Sequence, residues 1–267
     1  MITKDKEFEI IDKYNNGMSI NQIVKEYGLS WHKIEKMLLN NNVQLRRRYR
    51  INEHYFDEIN TPNKAYILGL LYADGGNTSN YDKNRYCVTI TLKHDDCKIL
   101  ENIRDEIGYD APIKFREYDS TGKIATLDIC NKHMVLTLHN LGIIPNKTFS
   151  LRFPEWLDEE LYSHFIRGYM DGDGCITFRD RKVAPQLSCT ITSTLDMCTN
   201  ISLIINNMCN IKSHIYNVGH TKCNSRIKTL IISGNLQCKR FLDYIYQDAN
   251  FKLERKYKRY IDWYNNN

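Results

Sequence analysis

The sequence lacks three features that would place the protein in a membrane or a secreted class. No apolar run approaches the ~18 residues needed to cross a bilayer. The N-terminus carries Lys4, Asp5, Lys6 and Glu7 instead of an apolar signal segment. There is no C-x-x-C pair, and the nine cysteines have spacings typical of neither a zinc site nor a disulfide framework. We expect a cytoplasmic protein without a membrane partner, with reduced and mostly buried thiols.

Excess positive charge is scarce outside the first fifty residues. The 267-residue chain has a net charge of +5 and is 42% hydrophobic, enough for a core in one or two domains. Residues 1–50 hold ten Lys and Arg against six Asp and Glu, whereas the remainder holds 27 against 26. The basic segment indicates an acidic partner.

Three short helical patterns occupy residues 1–50. In the first, Phe8 and Ile11 recur at helical spacing. The second begins with the capping-box pair Ser19 and Gln22. A glycine-containing turn leads into the third, as in modules that hold a helix in the major groove. The alternative is a plain three-helix cap with no ligand.

A basic arm, RRRYR, follows the third helix and is suited to neutralising phosphates. Residues 14–46, YNNGMSINQIVKEYGLSWHKIEKMLLNNNVQLR, resemble the helix-turn-helix of recombinases and resolvases. This resemblance implies that the start of the third helix contacts base edges or phosphates. The candidate DNA-binding residues are His32, Lys33, Lys36, Arg46, Arg47 and Arg48.

A nine-residue pattern occurs twice in the rest of the chain. ILGLLYADG places Gly69 and Asp74 at the same positions as Gly168 and Asp173 in IRGYMDGDG, 99 positions later. After each copy we predict the same element order: helix, two strands, helix, two strands, helix. The fold class is therefore α+β with antiparallel sheets, organised as residues 1–50, a first repeat at 51–150 and a second at 151–267.

The repeated glycines and acids predict a metal site. Gly69 and Gly168 let two helices pack with their backbones close, which brings the helix ends together. Asp74 and Asp173 would repel each other there, and a shared Mg²⁺ would remove the conflict. The alternative is that each Asp-Gly only ends a helix. Asp171 has no counterpart in the first copy, so we expect it to be supporting.

The segments INTPNKAYILGLLYADG and FIRGYMDGDGCI resemble the LAGLIDADG homing endonucleases of mobile elements, in their single-chain, two-motif form, over residues 52–260. The resemblance implies a pseudo-symmetric αββαββα fold whose sheets face the DNA major groove. It also implies that Asp74 and Asp173 bind the catalytic metal. A monomer would then cleave both strands of a long asymmetric DNA target by metal-assisted phosphodiester hydrolysis.

The resemblance further implies a basic residue that assists cleavage, and the sequence leaves its identity open. Lys123, Arg226 and Lys228 lie on candidate strands, and Lys147 and Lys256 rank below them. Two other functions remain alternatives: an RNA maturase that binds intron RNA, and a non-cleaving DNA-binding transcriptional regulator. We expect a free-standing protein that associates with the nucleoid when bound to DNA.

Overall fold

The structure, a computed structural model, describes residues 3–45, 49–119, 122–179, 186–218 and 226–265. The chain divides into two compact units, residues 1–50 and 51–267. None of the helices in these described ranges is long and apolar enough to cross a membrane.

The smaller unit contains three helices: α1 (Lys4–Asn15), α2 (Ile20–Tyr27) and α3 (Trp31–Asn40). The predicted capping box is present, because Gln22 N donates to Ser19 Oγ and Ser19 N donates to Gln22 Oε1. Helix α2 ends at Gly28, whose φ of 64° lies in the left-handed region that glycine adopts without strain.

The core of the smaller unit differs from the prediction at one helix. Its buried residues are Ile10, Tyr14, Ile23, Ile34, Met37 and Leu38. Phe8, which the helical spacing placed in the apolar pattern of α1, is 69% exposed, whereas Ile10 is fully buried. Phe8 and Ile10 are two residues apart on a helix, so only one of them can lie on the buried face.

The larger unit contains two halves with the same order of elements. The first half is α4 (Pro62–Asp74), β1 (Gly75–Asn77), β2 (Val88–Lys93), α5 (Cys97–Glu106), β3 (Lys114–Tyr118), β4 (Gly122–Ile129) and α6 (Lys132–Asn140). The second is α7 (Tyr162–Asp173), β5 (Gly174–Arg179), β6 (Gln186–Thr194), α8 (Leu195–Cys209), β7 (His214–Asn217), β8 (Ile227–Ser233) and α9 (Asn235–Tyr246).

Each half folds into its own four-stranded antiparallel sheet. The strand orders are β1-β2-β4-β3 and β5-β6-β8-β7, so the two sheets have equivalent topology. Along β2, buried Val88, Ile90 and Leu92 alternate with more exposed residues, the pattern of a sheet with one face on the core. The predicted α+β repeat is confirmed.

A last helix, α10 (Glu254–Asn265), extends the second half. It buries Lys256, Tyr260 and Trp263, whose spacing of four and three residues defines one face. The many charged residues of this segment obscure the narrow buried face in the sequence.

The cysteine prediction was wrong for one pair. Cys87 and Cys130 form a disulfide between the start of β2 and the end of β4, with Cα atoms 4.3 Å apart. They extend the register in which Val88 faces Ile129, so neighbouring strands bring them together. Of the free thiols in the described ranges, Cys189, Cys198 and Cys238 are buried as predicted, whereas Cys97 and Cys209 are half-buried and Cys175 is exposed.

Candidate active site

Helices α4 and α7 pack with their backbones in contact. A Cβ at Gly69 would lie 2.1 Å from Phe165 O, and one at Gly168 would lie 2.0 Å from Tyr66 O. Any side chain at either position would therefore force the helices apart. This is the close approach predicted for the repeated glycines.

Asp74 and Asp173 are the last residues of the two packed helices. A Cβ at Gly172 would lie 3.0 Å from Asp74 Oδ2 and 2.3 Å from Ala73 Cβ. The Asp74 carboxylate thus lies against the residue that precedes Asp173. The structure brings the two repeated acids to one place, as the sequence predicts.

The electrostatics of the pair are unfavourable for two negative charges. Burial, reinforced by the charge of Asp173, raises the pKa of Asp74 to about 6. Desolvation at the helix ends also raises the pKa of Asp173, although the nearby hydroxyl of Tyr169, which donates to Ser193 Oγ at 2.7 Å, counteracts this shift. Leu70 occupies the position of Tyr169 in the first repeat, so Asp74 has no matching hydroxyl.

A buried lysine lies at the C-terminal end of each helix. Lys147 Nζ is 3.2 Å from Ala73 O in α4. Lys256 Nζ donates to Met170 O, Asp171 O and Gly174 O at 2.8, 2.6 and 2.6 Å around the end of α7. The last carbonyls of a helix lack intrahelical donors and carry partial negative charge, so each ammonium stabilises its helix end.

The two lysines also act on the carboxylates. The positive charges that lower the pKa of Asp74 are, in order, those of Lys256, Lys147 and Arg255. Burial lowers the pKa of Lys147, while the charges of Asp173 and Asp74 oppose that shift. Lys147 therefore interacts with both acids.

The higher-ranked basic candidates lie elsewhere. Lys123 is on the β3–β4 hairpin with Nζ 3.9 Å from Glu117 Oε2. Lys228 Nζ donates to Asn217 on the neighbouring strand β7, and the Arg226 guanidinium lies 6.0 Å from the centre of the Phe149 ring. The structure thus brings Lys147 and Lys256, ranked lower on sequence grounds, to the carboxylates.

Asp171 is fully buried, and its contacts support the packing around α7. Its carboxylate accepts hydrogen bonds from Tyr66 Oη and Leu253 N, both at 2.8 Å. Arg167, also fully buried, donates to Ile245 O and Phe251 O at 2.8 Å. These contacts tie the segment between α9 and α10 to α7, and thereby fix the helix that carries Lys256.

The face of the first sheet opposite the core is polar. On it, Thr89 Oγ1 donates to Asp128 Oδ1 at 2.8 Å and Lys114 Nζ lies 2.6 Å from Asp128 Oδ2. Thr91 and Thr126 face each other across β2 and β4, with hydroxyl oxygens 3.2 Å apart. Every residue of β3 is exposed, so this edge is available to a partner.

In the smaller unit, His32, Lys33 and Lys36 are all exposed in the first turns of α3. His32 Nδ1 lies 3.4 Å from Glu35 Oε2. Arg46, Arg47 and Arg48 lie outside the described residues.

Comparisons with known proteins agree with this fold. Residues 160–246 match the family model described as a LAGLIDADG-like domain. The LAGLIDADG homing endonuclease I-GzeII, solved in complex with its DNA target, has a TM-score of 0.51 and 12% identity over 78% of this chain and 89% of that chain. The homing endonuclease I-WcaI, bound to its DNA recognition sequence, has a TM-score of 0.51 and 12% identity, covering 81% of this chain and 96% of that chain. No curated protein matches the sequence.

At this identity the solved structures show the fold. The chain has the α+β fold of the LAGLIDADG homing endonucleases, with two four-stranded antiparallel sheets. The family match covers the second half, from just before α7 to the end of α9.

Proposed function

We propose that this protein is a site-specific homing endonuclease that cleaves both strands of DNA by metal-dependent phosphodiester hydrolysis. The observation that carries the proposal is the placement of Asp74 and Asp173 at equivalent ends of two packed helices. Each helix end also has a buried lysine. A duplicated site of this kind suits a duplex, whose two strands present two scissile phosphates.

The donor atoms fit Mg²⁺. Carboxylate oxygens are the ligands that Mg²⁺ prefers, and it needs only one or two of them besides water and substrate phosphate. The raised pKa of Asp74 shows that the site disfavours uncompensated negative charge. Asp74 and Asp173 would hold the ion, which when bound activates a water and stabilises negative charge on the phosphate and the leaving 3′ oxygen.

The lysines have a different role in the proposed reaction. Lys147 and Lys256 are hydrogen-bonded to backbone carbonyls, which fixes the helix ends that carry the acids. Their positive charges hold the carboxylates closer to the ionised state that a metal ion requires. They also add to the positive potential that a scissile phosphate would meet.

Two surfaces are proposed to bind DNA. The polar face of each sheet would lie in the major groove, with Thr89 and Thr91 in the first half and Thr190 and Thr192 in the second. Because the halves differ in sequence, a monomer would read an asymmetric target. The exposed start of α3, with Lys33 and Lys36, would contact DNA as part of a helix-turn-helix.

The proposal is tested by cleavage selection on a randomised or host-derived DNA library, with Mg²⁺ or with chelator, followed by sequencing of the cut ends. We expect Mg²⁺-dependent breaks at one long asymmetric sequence. Asp74→Asn and Asp173→Asn should each reduce double-strand cleavage at that site by about 10³-fold or more, while specific binding persists. Asp105→Asn, at an exposed carboxylate on α5, is the matched control and should cleave normally.

Other outcomes would replace the proposal. Enrichment of DNA that is bound and never cut would indicate a transcriptional regulator. Binding of structured intron RNA without DNA cleavage would indicate a maturase. Full cleavage by either Asp→Asn variant would show that the reaction does not use these carboxylates.

A further inference from the structure

A cluster of two histidines and one aspartate lies in the first half of the larger unit. His54 Nδ1 lies 2.7 Å from Asp57 Oδ2, and His133 Nε2 lies 2.7 Å from Asp57 Oδ1. The two imidazole rings have centroids 4.5 Å apart. One ligand atom from each of the three residues lies within 4.8 Å of the others.

Buried neighbours hold the cluster in place. His54 and Asp57 flank Tyr55 and Phe56, which are 7% and 0% exposed, so the turn is anchored in the core. A hydrogen bond from Asp57 N to His54 O closes this turn. The two outward side chains are therefore fixed relative to each other.

The third member comes from α6, which is tied to the same turn. Asn131 caps α6 by accepting a hydrogen bond from Met134 N, and its Nδ2 donates to Glu53 at 3.1 Å. His133 follows two residues later. Thr137, one helical turn further on, has Oγ1 3.4 Å from Asp57 Oδ1 and so adds a partner to the carboxylate.

We propose that His54, Asp57 and His133 form a binding site for a divalent transition-metal ion, with Zn²⁺ as the favoured occupant. Two imidazole nitrogens and a carboxylate oxygen form a three-ligand zinc set that leaves a fourth position open to water. Ligand bonds of about 2.0–2.1 Å at tetrahedral angles place ligand atoms about 3.3 Å apart, a spacing between the 2.7 Å of the two His–Asp contacts and the 4.8 Å within which all three ligand atoms lie.

This site differs in chemistry from the carboxylate pair at the ends of α4 and α7. Imidazole nitrogen favours Zn²⁺ and its neighbours in the first transition series, whereas a site of oxygen ligands alone suits Mg²⁺. The ion would join the turn before α4 to α6, two segments more than seventy residues apart in sequence. It would act on stability, independently of DNA cleavage.

The test is titration of the metal-free full-length protein with Zn²⁺ in the presence of excess Mg²⁺, followed by calorimetry, together with thermal unfolding with and without Zn²⁺. We expect one Zn²⁺ site and a higher unfolding midpoint for the wild type. His54→Ala, His133→Ala and Asp57→Asn should each weaken binding by about 100-fold or more and abolish the thermal shift.

The matched control is His139→Ala on the same helix. His139 Nδ1 lies 2.9 Å from Tyr81 Oη, outside the cluster, so this variant should bind Zn²⁺ like the wild type. Co²⁺ in place of Zn²⁺ should give ligand-field absorption without a thiolate charge-transfer band. Zn²⁺ binding that is unchanged in His133→Ala, or a Co²⁺–thiolate band, would overturn the assignment and leave the cluster as a hydrogen-bonded group.

Discussion

At the scale of single residues, the negative charge of Asp74 is destabilising when no cation is bound beside it. Its pKa in the folded protein is raised to about 6 from an ordinary value of 3.8. The folded state therefore binds the proton more tightly than the unfolded state does, and stability is lost as pH rises through this window.

This loss of stability with rising pH leads to the first prediction. In chelator, Asp74→Asn should be as stable as the wild type near pH 4 and more stable above pH 6, by about 1–3 kcal/mol, because Asn never ionises. Denaturant unfolding across this pH range measures the difference. Added Mg²⁺ should stabilise the wild type and not the variant. Asp82→Asn, at an exposed carboxylate, is the control, and an equal gain there would contradict the explanation.

Asp171 and Asp173 provide a second prediction on one helix. Asp171→Asn should lower the free energy of unfolding by about 2–4 kcal/mol, because an amide cannot accept the hydrogen bonds from Tyr66 and Leu253 equally well and leaves Arg167 buried without its anionic neighbour. Asp173→Asn should abolish cleavage with little loss of stability. Urea unfolding and cleavage assays separate the two effects. Loss of cleavage with unchanged stability in Asp171→Asn, together with normal cleavage in Asp173→Asn, would show that Asp171 is the catalytic acid.

At the scale of elements, the contact between α4 and α7 depends on the absence of side chains at two positions. Gly69→Ala or Gly168→Ala would place a methyl group about 2 Å from a backbone oxygen of the other helix. We expect a loss of about 2–4 kcal/mol in unfolding free energy and a displaced pair of acids. Gly76→Ala is the control, since the atom nearest to its Cβ would be Thr89 O, at 3.9 Å. Normal stability in Gly69→Ala would contradict the observed packing.

Gly75 and Gly174 end the two copies of the repeated pattern, where a glycine would usually indicate a left-handed backbone conformation. Here the glycines are explained by the lack of space for a side chain. Gly75 and Gly174 have φ of −75° and −100°, which any residue can adopt. A Cβ there would lie 2.4 Å from Leu71 O and 2.5 Å from Met170 O, respectively. Glycine is therefore required by space at the helix end, a distinction that the sequence does not contain.

At the scale of the whole molecule, the features that could be predicted from the sequence are those that belong to the repeated pattern. The duplicated pattern predicted the order of elements, the two glycine contacts and the pair of acids. It did not rank Lys147 and Lys256 first, because they approach backbone carbonyls of residues that are distant in sequence, and their positions depend on tertiary structure. The His54, Asp57 and His133 cluster was missed for the same reason.

The two compact units allow the proposed DNA contacts of the smaller one to be tested separately. Each lysine that neutralises a phosphate contributes about 0.9 to the slope of log binding constant against log salt concentration. Lys33→Ala/Lys36→Ala should therefore weaken DNA binding and reduce the slope by up to about 1.8, measured by fluorescence anisotropy over a salt series. The acids at the ends of α4 and α7 are untouched, so cleavage at saturating protein should persist.

Lys4→Ala/Lys6→Ala provides the matched control for this last prediction. It removes the same charge from the same unit, at exposed positions on α1 instead of α3. If α3 contacts the phosphates directly, the control should keep the wild-type slope, because a distant charge acts only through the screened field. Equal slopes in both double variants would mean that the smaller unit attracts DNA through its overall charge, and a wild-type slope in both would assign it another partner.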